Sequence, residues 1–439
     1  MSISEQDDRP SAERRLLRMG ELAGLGVALA VAGSFAPWGL GLDQAGWGGM
    51  LIAFGVVITF YLCLLLCLGK LAERVPGPGG GQAFAAQAFG PLGGFLAGAA
   101  ASVEFLCSIA ALSALAAIYL QATAGVYPGA TVIILFLVAV VAHLRGAGEA
   151  VGLMLFLSAV TAAGVAAFVA TMGLAAPERA FSGLAHVSSV TGIWLALPFT
   201  VPFFMGIEGL PLAAADAQNP LRDIPRAMLV ALTIVGALGF AVLLAGPAGG
   251  GAEALRGTTD TIMAALSSPS AGVSVATRIG VGVAAFAGLC ASFFGVFYAC
   301  SRQIHAMAAA GELPRLLERT NRRGAPVPAS IVPAAIGAIL ALSGAIDQLI
   351  VVLVAAASIF YLLMFASLLA LSKGDAAGKG GARTLVPAYV GIVLGLVIFS
   401  ACVASNIVWS ALGVATFALL ALYRWISVRR LNGAGLSPV

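Results

Sequence analysis

Long apolar runs separated by short polar breaks dominate this 439-residue chain. A helix that crosses a bilayer takes about 20 mostly apolar residues. Twelve such runs fit the sequence, starting near Gly20, Gly46, Pro91, Pro128, Gly148, Gly192, Ile224, Val275, Val327, Ile346, Leu385 and Ser405. Two are interrupted. Span one, LAGLGVALAVAGSFAPWGLGL, is punctuated at Gly33-Ser34-Phe35-Ala36-Pro37, and span six at Gly206-Ile207-Glu208-Gly209-Leu210-Pro211. Hydrocarbon offers no partner to backbone groups freed at a break, so each break must lie in protein or line a wet cavity. Broken helices at mid-membrane depth are where secondary transporters build substrate and ion sites. The pattern therefore predicts an all-α membrane protein of twelve transmembrane helices.

Span six follows span one by five. Five is odd, so two five-helix units, about 19–174 and 192–372, would run in opposite directions through the membrane as an inverted repeat. Together they make a transport core, 19–372, preceded by a polar tail, 1–18. Spans eleven and twelve, 385–427, read as scaffold or dimer contact, and 428–439 as a second tail. The tail MSISEQDDRPSAERRLLRMG has no signal-peptide cleavage pattern, so span one is expected to be retained.

Composition narrows the class. The chain is 60% hydrophobic and 10% charged, with a mean hydropathy of +1.02, which excludes a soluble globular protein. Its loops leave no room for a soluble catalytic domain. With both termini inside, 20 of the 23 basic residues face the cytoplasm and only Arg179, Arg256 and Arg278 face out. That asymmetry predicts cytoplasmic termini in a plasma (inner) membrane. It also accounts for the net charge of +4 without nucleic acid. The six cysteines (Cys63, Cys67, Cys107, Cys290, Cys300, Cys402) fall inside spans as small buried thiols. His143, His186 and His305 lie at or beyond span ends, so no metal site is expected.

Several segments carry secondary signals. Pro76 to Gly90 is glycine-rich but lacks the Gly-Lys-Ser/Thr of a phosphate-binding loop, and reads as a re-entrant or interfacial hairpin. Gly90, Gly94 and Gly98 form a small-residue face at the start of span three. Arg302 to Arg323 reads as a basic amphipathic surface helix, with a plain basic loop as the alternative. In Asn219–Arg226, Pro220 is expected to end span six, Asp223 to cap span seven, and Pro225 to sit in its first turn.

Of nineteen acidic residues, Glu104 and Glu208 lie well inside spans, and no lysine does. A charge at the centre of a membrane helix costs roughly 2.5–3.5 kcal/mol, so two carboxyls without a fixed cation need an explanation. Either they are protonated part of the time, or a cationic ligand completes the site. Glu208, inside the break, suits an ammonium or a proton, and would also serve as a cap on orphan N–H groups. Glu104 suits a second amine contact or a buried hydrogen-bond partner. Freed N–H groups at Gly33, Ser34 and Phe35 would hold a carboxylate or hydroxyl. Gly206, Ile207 and Gly209 complete the second break. Phe35, Trp38, Phe203 and Phe204 are candidate walls or gates, Trp38 also for a cation–π contact.

The residues FFMGIEG and AADAQNPLRDIPRA, KLAERVPGPGGGQAFAAQAFGPLGGFLAG, and SRQIHAMAAAGELPRLLERTNRRGAPVPA resemble, in that order, signature segments of the amino acid–polyamine–organocation permeases. The resemblance implies a LeuT-type five-plus-five inverted repeat with substrate between the breaks of helices one and six. Within that superfamily AVAGSFAPWGLGL, SVEFLCS and LPFTVPFFMGIEG look most like ethanolamine permeases. The chain departs from that group at Ser34, where an acid is usual, which makes an amino acid more plausible than a simple amine. It departs again at Thr161, aligned with a lysine that mimics sodium in some proton-coupled members. Thr161 with Ser292 would suit sodium, and proton coupling through Glu208 stays open. The expectation is a permease for a small amine or amino acid, coupled to H⁺ or Na⁺, with no other cofactor. An exchanger of the same fold is the alternative; a transporter-like sensor and an intramembrane enzyme are the remote ones.

Overall fold

A computed structural model describes residues 16–75, 79–145, 147–175, 185–322, 324–373 and 385–409, with seven further positions between 411 and 424. Twelve α-helices are used below: α1 (Met19–Ala30), α2 (Gly39–Arg74), α3 (Gly80–Ala124), α4 (Pro128–Arg145), α5 (Ala147–Ala175), α6 (Val190–Thr200), α7 (Pro220–Gly250), α8 (Thr261–Ser267), α9 (Val275–Ala309), α10 (Val327–Leu342), α11 (Ile346–Ser372) and α12 (Val386–Ser405). Among the described residues, eight helical stretches are long and apolar enough to cross a membrane. Three shorter apolar stretches, Met19–Phe35, Pro128–Leu144 and Val327–Leu342, fill the places of spans one, four and nine. About half of span twelve lies outside the described residues, as do Arg179 and Arg323.

Glycine sets the ends where the apolar pattern alone runs on. Gly46 adopts φ +71°, so Gly39–Ala45 is the second half of span one and the long helix of span two begins after it. Gly90 adopts φ +74° just before Pro91 and separates a short helix, Gly80–Phe89, from the membrane span that follows. Both glycines occupy the left-handed region that side chains with a Cβ avoid. The short helix is the expected hairpin segment. Along the predicted small-residue face, Gly98 meets Met307 of α9, while Gly94 meets Ala86 of its own hairpin.

Two local expectations need correction. Arg302–Ala309 is not part of a surface helix; it continues α9, and after Gly311 (φ +70°) and Pro314 only a 3-10 turn, Arg315–Glu318, is helical. Glycine and proline stop the helix before a surface amphipath can form. Pro220 opens span seven rather than closing span six, because its missing N–H is tolerated at a first helical position. Asp223 therefore sits in the first turn of α7 and Asn219 takes the cap position.

The core is formed by α1, α3, α9 and α11 around the two breaks. Span eleven packs on it from outside: Gly391 of α12 lies against Phe365, and Trp194 of α6 donates to Ser400 Oγ at 3.2 Å.

Candidate functional site

Both predicted breaks are present. In span one, α1 gives way to a 3-10 turn, Val31–Phe35, and then to extended backbone at Ala36. In span six, α6 ends at Thr200, Gly206 takes φ +107°, and a 3-10 segment, Ile207–Asp216, follows. The breaks cross backbone against backbone. A Cβ on Gly33 would lie 2.3 Å from Phe203 Cα and 2.4 Å from the Pro202 carbonyl oxygen; one on Gly206 would lie 2.8 Å from the Leu29 carbonyl oxygen. Only glycine permits that approach.

The first break is patched from α9. Ser292 Oγ donates to the Ala28 carbonyl at 2.7 Å and accepts from the Ala32 N–H at 3.0 Å, so the hydroxyl stands where a helical N–H to carbonyl bond would have closed. Thr161 of α5 packs against α9 nearby, at Ala284 and Gly288, and its hydroxyl donates to Leu157 O at 2.7 Å. Thr161 and Ser292 are thus brought to the same flank of the first break.

The second break is answered by its own carboxylate. Both oxygens of Glu208 accept from the Gly206 N–H, at 2.9 and 3.0 Å, and Tyr361 Oη of α11 donates to Oε1 at 2.7 Å. The same hydroxyl lies 3.4 Å from Glu104 Oε1, so one tyrosine contacts both carboxyl groups. Tyr61 of α2 completes the chain, 3.0 Å from Tyr361 Oη. All four side chains are buried, and among the described residues Glu104 Oε2 has no hydrogen-bond partner.

A cavity of about 70 Å³ lies between the breaks, bordered by Gly33, Glu104, Ser108, Met205, Gly206 and Leu353 among others. Glu104 faces it; Glu208 is outside its lining. Such a volume has room for several waters or a small solute group. The predicted aromatic walls lie elsewhere. Phe203 meets Phe54 edge-on at 5.3 Å, Phe204 lies tilted against Phe54 at 5.1 Å, Phe35 meets Tyr119 edge-on at 6.1 Å, and Trp38 is buried against Gly246. Ile207 is buried, Gly209 packs toward Phe105 and Ala299, and Ser34 Oγ is buried without a partner. Tyr61, Tyr361, Ser108 and Met205 escaped the sequence reading. The two tyrosines carried one usable signal: a hydroxyl in mid-span must find a partner.

Pro37 and Leu115 also line a second cavity of about 200 Å³ with Thr259 and Asp347, toward the face opposite the N-terminus. On the N-terminal face, described residues tie the second break to α9 and to the segment before α1. Asp216, at the end of the second break, pairs with Arg302 of α9 at 2.6 Å and accepts from Tyr298 Oη. The Asp216 carbonyl also accepts from Leu17 N at 2.7 Å. The Arg302 guanidinium lies 4.3 Å over the Tyr298 ring.

Crossed helix breaks and a central cavity beside embedded carboxyls are the architecture of an integral membrane transporter. The sequence places it further: a family model described as amino acid permease matches residues 18–427, and the chain belongs to that family. It is 28% identical to an uncharacterized transporter of Mycobacterium tuberculosis over 392 residues, 88% of this chain and 86% of that protein. It is 26% identical to a probable GABA permease of Pseudomonas aeruginosa over 347 residues, 75% of this chain and 70% of that protein. In fold it resembles a Na⁺-coupled sialic acid symporter (TM-score 0.56, 10% identity, 88% of this chain and 90% of that one). It also resembles a manganese transporter mutant of Eremococcus coleocola (TM-score 0.60, 16% identity, 94% and 95%). The fold is LeuT-type, as the sequence resemblance implied.

Proposed function

We propose that this permease carries a small amino acid, or a related amine, together with a proton, by alternating access across the plasma membrane. The observation that supports it is the unpartnered Oε2 of Glu104 beside a Glu208 whose oxygens are already engaged. The Glu208 oxygens are already occupied by the Gly206 N–H and the Tyr361 hydroxyl. Glu104 has only the longer, 3.4 Å contact to that same hydroxyl, and two carboxyls buried side by side do not both ionise readily. Glu104 therefore holds the proton, shared toward Glu208, and offers Oε2 to an arriving ammonium. One proton and one ammonium bring the two carboxyl groups to neutrality together, which is the condition for moving them together.

In this reading Glu104 takes the ammonium-contact role that the sequence suggested for Glu208, and Glu208 acts as the cap of the second break. The Gly206 N–H is already used by Glu208, so the substrate's carboxylate falls to the N–H groups of the Gly33–Phe35 turn. A bare amine such as ethanolamine would leave that end of the site without an anion, which favours an amino acid. A relative named for GABA is consistent with this. The apolar remainder of the cavity, with Leu112, Val296 and Leu353, suits an apolar side chain.

Sodium on the Thr161–Ser292 flank is the second reading. It is disfavoured because Ser292 already bridges Ala28 and Ala32. Uptake of radiolabelled amino acids and amines into proteoliposomes, under a pH gradient or a Na⁺ gradient, separates the two. Accumulation driven by the pH gradient supports the proposal; accumulation driven by Na⁺ alone overturns the proton assignment. Counterflow without gradient-driven accumulation would make the protein an exchanger. In this reading spans eleven and twelve serve as scaffold or dimer contact, with both termini cytoplasmic.

A further inference from the structure

The short helix Gly80–Phe89 lies under the transport site on the N-terminal face. A Cβ on Gly80 would lie 3.2 Å from Leu212, at the end of the second break, and one on Gly81 would lie 2.3 Å from the Phe360 ring of α11. This segment lies against the core between the second break and α11. One side-chain contact ties it to a third. Gln82, buried, donates from Nε2 to Glu312 Oε2 at 2.6 Å. Glu312 is itself fixed to the end of α9, because its N–H donates to the Met307 carbonyl at 2.9 Å after the Gly311 turn.

We propose that Gly80–Phe89 is a plug clasped by Glu312 through Gln82, and that the clasp loosens as the pH on that face rises. The groups that face Glu312 are Gln82 from α3 and the Arg424 guanidinium from the last helical stretch, which also sits 5.9 Å over the Phe95 ring. One turn back on α9, His305 Nδ1 points to Leu317 O at 3.5 Å. Burial pushes the Glu312 carboxyl up to about 7, and Arg424 and Gln82 only partly oppose it. With the plug released, the carboxyl returns to water and to its ordinary value of 4.5. A group whose proton is held more tightly in the clasped state stabilises that state at low pH. As pH rises between those two values the buried charge increasingly favours release, and the effect levels off above the upper one.

The device governs access to the transport site and so rests on the permease reading, but its test needs no transport. Hydrogen–deuterium exchange of the peptide covering 80–89 is measured on the full chain in lipid nanodiscs at pH 6 and pH 8, corrected for the intrinsic exchange rate. Opening should rise by about tenfold across that interval in the wild type. It should be flat in Glu312→Gln, while exchange within α9 stays flat in both. Gln82→Ala should raise opening at pH 6 toward the pH 8 level. A flat wild-type profile, or the same rise in Glu312→Gln, overturns the clasp. If that variant does not fold, the wild-type profile and Gln82→Ala decide the matter. Failure of proton-coupled uptake with a pH-dependent plug would instead remove the coupling proposal and leave the clasp standing.

Discussion

Gly33 meets Phe203 with no space for a side chain: a Cβ on Gly33 would come within 2.3 Å of Phe203 Cα. The two broken helices thereby touch through their backbones at mid-core. Alanine at position 33 must force them apart, and overpacking of a core usually costs about 1–3 kcal/mol. Here the atoms in the way are backbone, which cannot rotate aside. Gly33→Ala should keep its insertion in the membrane but lose uptake by about tenfold or more, measured in proteoliposomes matched for protein content. Wild-type uptake in Gly33→Ala would mean that the breaks separate freely.

Ser292→Ala removes the hydroxyl that serves both Ala28 O and Ala32 N–H. Each orphaned buried group costs about 1–3 kcal/mol. The variant should unfold at a lower temperature in nanodiscs, and its loss of uptake should be as large without Na⁺ as with it. A defect seen only in Na⁺ would point to an ion at this flank.

The Tyr361 hydroxyl contacts both carboxyl groups, whereas the Tyr61 hydroxyl bonds to Tyr361. A hydrogen bond to a charged group contributes about 1.5–3 kcal/mol. Tyr361→Phe should weaken proton-driven uptake by about tenfold or more and shift its pH profile, and Tyr61→Phe should do so less. Equal effects of the two would show that the hydroxyl chain acts only through packing.

Arg302→Met removes the partner of a nearly buried Asp216 on the N-terminal face. Breaking a buried ion pair from one side costs on the order of 3 kcal/mol. Tyr298 still donates to Asp216, which limits the loss. A state closed on this face should become less populated. Ser108→Cys, lining the cavity, should then react faster with an impermeant thiol reagent applied from the N-terminal face. The native cysteines are all buried and provide the background rate. Unchanged labelling would mean the Asp216–Arg302 pair does not hold this face shut.

Much of this was readable in the chain. Apolar runs and the Gly-Pro interruptions located the spans and both breaks, because hydrocarbon leaves a backbone few alternatives to a helix. Gly206 is where the second break turns, as its place in GIEG suggested. What sequence spacing could not give is helix rotation. Whether Glu104 or Glu208 faces the cavity depends on how α3 and the second break turn about their axes. The aromatics next to the breaks were read as walls, but the same rotations turn Phe203 and Phe204 toward α2. Tyr61 and Tyr361 meet across 300 positions of sequence, a distance that no local pattern reports. The end of α9 was misjudged for a different reason: charges from Arg302 onward mark the end of the membrane, not the end of the helix.

The central claim is that Glu104 carries the coupling proton. Uptake into proteoliposomes with an inward pH gradient, set beside substrate counterflow at equal pH, tests it on wild type and Glu104→Gln. The glutamine keeps the shape and an oxygen for the ammonium but cannot release a proton. Counterflow within about threefold of wild type, with gradient-driven accumulation lost, is the expected result. Glu104→Gln that still accumulates substrate under the pH gradient as wild type does would contradict the account.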